Sequence, residues 1–137
     1  LVRLYLEDSG FEQVRSLAAS NLIASCIIGR AETAAALHRR YRKGIHTKSQ
    51  HDAFQSEFRR EFITGAFHWL PLSLLVLDRV QQVFSGLDPT CFLRAADAIH
   101  LACAAENGFA EIYSNDRHLL SAAQHFGLRG VNIISAG

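Results

Sequence analysis

Three carboxylates stand where chemistry could be done. Asp97 sits in the stretch Arg94 to Ala105, "RAADAIHLACAA", in which Ala, Ile and Leu recur at helical spacing and predict a buried helix. A carboxylate in such surroundings is costly unless it is paired, protonated or bound to a cation. Glu32 falls early in a helix expected after a short strand, and Asp116 falls just past a strand expected to end at Ser114. In a parallel sheet, strand ends and the starts of the following helices share one edge, where ligands bind. Acids gathered at that edge repel one another, and a hard divalent cation held through oxygen, Mg²⁺ or Mn²⁺, relieves the repulsion. Such a cation activates water and neutralises the charge of a phosphodiester.

The elements that must position these acids can be read along the chain. Leu1 to Leu6 reads as the end of a helix, Glu7-Asp8-Ser9-Gly10 as a turn, and Ser9 as the cap of a helix reaching Ala19. Asn21-Leu22-Ile23-Ala24 is a strand candidate, and Ser25 a cap for a long helix that closes at Lys43-Gly44 with basic residues in its last turns. A further helix is expected from about Ser49 to Ile63, with Phe54, Phe58 and Phe62 on one face. Then come a strand from Phe67 to Leu72, a helix from Leu74 to Phe84, a loop through Gly86-Leu87-Asp88-Pro89, and the helix carrying Asp97, which stops at Asn107-Gly108. Glu111 to Ser114 reads as a strand, Leu119 to Phe126 as a helix stopped by Gly127, and Val131 to Ile134 as the last strand. Alternating strands and helices imply an α/β fold whose parallel sheet is covered on both faces.

Composition narrows the class without choosing the chemistry. The 137 residues, 49% hydrophobic and 20% charged, describe one globular domain. The formal charge of +1 exerts no global pull toward nucleic acid, so such a partner must be read from local patches. No apolar run is long enough for a membrane span and no signal segment opens the chain, so a cytoplasmic protein is expected. Cys26, Cys91 and Cys103 are widely spaced and odd in number, which suggests neither a disulfide framework nor a zinc knuckle; small buried hydrophobes are expected.

The spacing of Glu32, "LRAADAIHLACAAENG" and "EIYSNDRHLL" resembles the PIN domain family, in particular its single-domain VapC-type toxin ribonucleases, over nearly the whole chain. The resemblance implies a three-layer α/β/α sandwich around a parallel sheet, with an acidic cluster that binds Mg²⁺ or Mn²⁺ and cuts RNA. Glu32 matches the family's helix acid, Asp97 the acid before His-Leu-Ala, Asp116 the acid after the later strand, and Ser114 the small hydroxyl residue two positions earlier. It further implies the toxin half of a type II toxin–antitoxin pair, with a small antitoxin protein as partner and a homodimer as the assembly. In the family a first strand ends in an aspartate and leads into a helix that begins much like "LVRLYLEDSG". The expectation is therefore that this strand and one of four acids precede Leu1, giving a single domain truncated at its front, with Glu7 and Asp8 too far along the helix to replace the acid. A catalytically inactive remnant acting as an interaction protein is the alternative.

Plainer readings stand beside these. Asp97 can pair with Arg94 on the same helix face, Asp116 can cap the helix that follows it, and Glu32 can be a solvated helix residue. His100 reads as a core residue or a support to the site, and seven scattered histidines do not suggest zinc. The run His38-Arg39-Arg40-Tyr41-Arg42-Lys43 fits either RNA phosphates with Tyr41 stacking on a base or a solvated helix end. The phenylalanine stripe fits core, or a dimer or antitoxin contact.

Overall fold

The protein is described by a computed structural model that covers residues 24–64 and 68–132. The two helices expected ahead of residue 20, most of the first expected strand, Phe67 and the end of the last strand lie outside them. Helices and strands alternate along the chain in an α/β fold, consistent with the sandwich expected. The described strands pair as two two-stranded sheets, the first two together and the last two together. The chain divides into two compact units, Leu1–Trp69 and Leu70–Gly137.

In the first unit, β1 (Ala24–Cys26) leads into α1 (Ile28–Arg42). Ser25 does not cap this helix. Its hydroxyl donates to the Cys26 carbonyl, 3.3 Å away, so the residue is spent inside the strand and the helix starts at Ile28 with no side-chain cap. Gly29, Thr33 and Leu37, four residues apart, form the buried face of α1. The next helix, α2 (Lys48–Thr64), starts on a reciprocal capping box. The Thr47 hydroxyl accepts from Gln50 N at 3.1 Å while the Gln50 amide oxygen accepts from Thr47 N at 2.8 Å. Phe58 packs with Leu37 at the centre, flanked by Phe54 and Trp69 of β2 (His68–Leu70). Phe62 tilts against Trp69 at 5.0 Å and carries the Arg30 guanidinium 3.9 Å above its ring. The phenylalanine stripe is therefore core at Phe58 and a flank at its two ends.

In the second unit, Ser73 caps α3 (Leu74–Gly86) by accepting from Val76 N. Arg79 on α3 pairs with Glu106 at 2.6 Å, at the end of α4 (Ala95–Glu106), whose Ala98, Leu101, Ala102 and Cys103 are buried. β3 (Glu111–Ser114) and β4 (Arg129–Asn132) run parallel, with Glu111 opposite Arg129 and Ser114 opposite Asn132; the first pair is also an ion pair. Between them lie α5 (Arg117–Ala122) and a 3₁₀ turn, Ala123–Phe126. The helix expected from Leu119 thus begins two residues earlier, because Asp116 caps it, and tightens in its last turn. Cys26 and Cys103 are buried, but Cys91 is exposed in the loop before α4, where no apolar neighbours enclose it.

Gly127 ends the 3₁₀ turn at φ 74°, in the left-handed region. A side chain there is strained even though nothing crowds the site. Gly127→Ala is expected to lower unfolding stability by about 1 kcal/mol, measured by urea denaturation; an unchanged midpoint would show that the turn tolerates another conformation.

Candidate metal centre

At the end of β3 the chain turns through Asn115 into α5, and this turn is held by Ser114 and Asp116. The Asp116 backbone N–H donates to Ser114 Oγ at 3.0 Å, which sets the path of the turn. Asp116 Oδ1 then accepts from His118 N at 2.9 Å and from Leu119 N at 3.4 Å, the geometry of a helix cap. The other carboxylate oxygen, Oδ2, stays out of the cap and lies 3.4 Å from Arg94 Nη2.

Arg94 stands immediately before α4 with extended backbone angles, and its carbonyl accepts the helix bond from Ala98 N. Its Nε lies 3.4 Å from Asp97 Oδ2. One guanidinium therefore touches carboxylates from two elements, the first turn of α4 and the turn after β3. The Arg94 side chain is 63% exposed, against 17% for Asp97 and 33% for Asp116, so the acids line the inner side and the cation covers them from solvent. Each pair is worth no more than about 1 kcal/mol at this exposure and distance.

Asp97 is not set in the middle of its helix, as the alanine-rich run suggests, but is the third residue of α4. There the free N–H groups and positive end of the helix favour a negative charge, so the acid needs no burial among apolar side chains. The burial begins one residue later, at Ala98. Its pairing with Arg94 and the capping by Asp116 are both observed, and neither uses all the oxygens of its carboxylate.

Ser114, Asp97 and Asp116 are thus brought together. Glu32 lies in the first unit, exposed on α1. Among the described residues no group of three or more His, Cys, Asp or Glu side chains is close enough to share a metal ion. A divalent cation nevertheless fits what is present. Two carboxylates already converge on one positive group, the donors are all oxygen, and Mg²⁺ commonly takes one or two carboxylates with water and substrate phosphate completing its shell.

Two side chains beside the acids make contacts that a reading of spacing misses. Phe92 is exposed, and its ring meets the His118 ring edge-on at 4.9 Å, next to the backbone N–H that caps on Asp116. Arg94 is the other, because its contact with Asp116 spans 22 residues of chain. Only its position three residues before Asp97 hints at the first of its two pairs.

The profile of the PIN domain matches residues 1–124, a span that runs through both units and includes Glu32, Asp97, Ser114 and Asp116. No curated protein is matched by the chain.

Proposed function

Because the chain belongs to the PIN domain family, which suggests a nuclease, we propose that it is a metal-dependent endoribonuclease and the toxin half of a type II toxin–antitoxin pair. The observation that carries the metal-dependent reading is the convergence of Asp97 and Asp116 on one cationic group. A bound Mg²⁺ or Mn²⁺ supplies the neutralisation of phosphodiester charge and an acidified water. Asp97 and Asp116 would hold that cation, and Ser114 keeps the turn that presents Asp116 Oδ2, the oxygen left out of the helix cap. Glu32 is assigned as a third acid on its sequence position alone. Arg94 stands beside the two acids with donors suited to a phosphate. Phe92 offers an apolar face to a base next to the cut.

An antitoxin and a second copy of the chain are the protein partners this reading implies. Support comes from the exposed Leu72, Leu74, Leu75 and Leu77 at and before the start of α3, an apolar group that water does not favour. No helix among the described residues is long and apolar enough to cross a membrane, and a cytoplasmic site of action is part of the proposal.

One observation favours the alternative of an inactive, interacting remnant. Arg94 already pairs with both acids and offsets one of their two negative charges, which lessens the repulsion that a metal would relieve. The deciding experiment incubates the purified protein with single-stranded and hairpin RNA in Mn²⁺, then repeats it with chelator. Cleavage that depends on Mn²⁺ is expected. Intact RNA throughout, together with no heat of Mn²⁺ binding by calorimetry, would overturn the nuclease reading in favour of the remnant.

A further inference from the structure

We propose that the junction of α1 and α2 is a binding surface for single-stranded RNA, with Arg39, Arg42 and Lys43 contacting phosphates and Tyr41 offering its ring to a base. This deepens the ribonuclease reading and rests on it for the choice of RNA over other polyanions. Between Glu32 and Asp52 the chain holds no acid, yet it holds five of its 14 Lys and Arg residues and three of its seven His. Such a run could be a solvated helix end, but the structure folds it back on itself. The last turn of α1 and the first turn of α2 adjoin, and their rings form one aromatic group. Tyr41 stacks on His51 at 4.9 Å with 22° between the planes, and His38 meets the same His51 edge-on at 6.1 Å. Tyr41 remains exposed, so the stack is open to a further ring.

The charges around that stack are unspent. Lys48 is engaged with Asp52 at 3.1 Å, but Arg39, Arg42 and Lys43 are exposed and have no ion-pair partner among the described residues. Behind them the positive field is felt locally. Burial first, then the nearby charges of Arg40 and His51, hold the His46 imidazole below its usual range. Arg40 Nε, His46 Nδ1 and His51 Nδ1 are covered without a hydrogen-bond partner among the described residues. The C-terminal end of α1 offsets part of this charge through its dipole, which explains how three basic side chains are tolerated in one turn without acids. Open aromatic faces beside uncompensated cations are the features by which proteins hold single strands, since every base has a face to stack and every nucleotide a phosphate.

The test is fluorescence anisotropy of a labelled single-stranded RNA, in chelator so that cleavage plays no part, with salt varied. For single strands the salt slope changes by about 0.7 per phosphate contact. The R39Q/R42Q/K43Q variant is expected to flatten the slope by about 2 and to weaken binding at least about tenfold near 0.1 M salt. Tyr41→Ala is expected to weaken binding about fivefold or more, and Tyr41→Phe to keep it. R59Q/R60Q, which removes like charges farther along α2, serves as the control and is expected to leave the slope unchanged. Melting curves confirm that each variant is folded, and Tyr41→Ala read against Tyr41→Phe keeps the question decidable should the triple variant unfold, equal affinities of the two overturning the proposal. Equal slopes for wild type and the triple variant, or equal losses in the triple variant and the control, would overturn the proposal. So would retained RNA affinity with lost binding to poly-glutamate, which would mark a surface for an acidic protein. If the wild type cuts RNA while the triple variant binds as well as it does, this surface is wrong and the nuclease stands; if binding follows the surface but no RNA is cut, the reverse holds.

Discussion

Asp116→Asn is expected to lower Mn²⁺-dependent RNA cleavage by at least about a hundredfold while changing unfolding stability by less than about 1 kcal/mol. The two effects separate because asparagine keeps the shape and one acceptor of the side chain. It can still take the bonds that His118 N and Leu119 N give to Oδ1, and Asn caps helices as well as Asp does. What it loses is the charge that faces Arg94 from Oδ2. That pair is partly solvated, so its loss is small for the fold. For a metal it is one of two close carboxylates, and even residues that only support a metal ligand change affinity or activity by about 10–100-fold. Asp116→Ala is the companion variant. It removes charge and cap together and is expected to cost about 1 kcal/mol more in urea denaturation. Cleavage that survives Asp116→Asn and falls only with the stability of Asp116→Ala would leave Asp116 as a cap and nothing else.

How much of this was open to a reading of the chain depends on how local each determinant is. The bounds of β3, Glu111 to Ser114, are legible because a short β-prone run lies between Gly108 and the Asn115 turn. The start of α2 is legible to within a residue or two, since Thr47 and Gln50 interact across one turn. The Asp116 cap is legible for the same reason. Ser25 misleads because a hydroxyl before a helix is the usual sign of a cap, and only its bond to Cys26 shows otherwise. Asp97 is found by composition but misplaced within its helix, because Ala95 and Ala96 before it continue the alanine-rich run after it and hide where the first turn lies. The bridging role of Arg94 is beyond local pattern, since it is made by the packing of the turn after β3 beside the start of α4. Read from the sequence, the order of strands and helices already gathers Glu32, Asp97 and Asp116 at one sheet edge, and the family resemblance adds to each its role as a metal-binding acid.

Leu101→Ala is expected to lower stability by about 2–5 kcal/mol, a large share of the roughly 5–15 kcal/mol that holds a domain of this kind together. Leu101 is 0% exposed and lies on α4 one turn beyond Asp97, between the buried Ala98 and the buried Ala102 and Cys103. Its neighbours are small, so the side chain supplies most of the apolar volume of that face. Removing it opens a cavity that alanines cannot fill by shifting rotamers. The same helix carries Asp97 and starts at Arg94, so the fate of the acids follows the packing of Leu101. Activity in this variant should therefore be lost by unfolding, and be regained as temperature or denaturant is lowered. In Asp116→Asn it should stay lost under every condition that keeps the protein folded. Leu101→Met, which conserves volume, is expected to cost less than about 1.5 kcal/mol and to keep cleavage. A loss below about 1 kcal/mol for Leu101→Ala in urea denaturation would show that α4 is anchored elsewhere, and that the position of Asp97 owes little to this face.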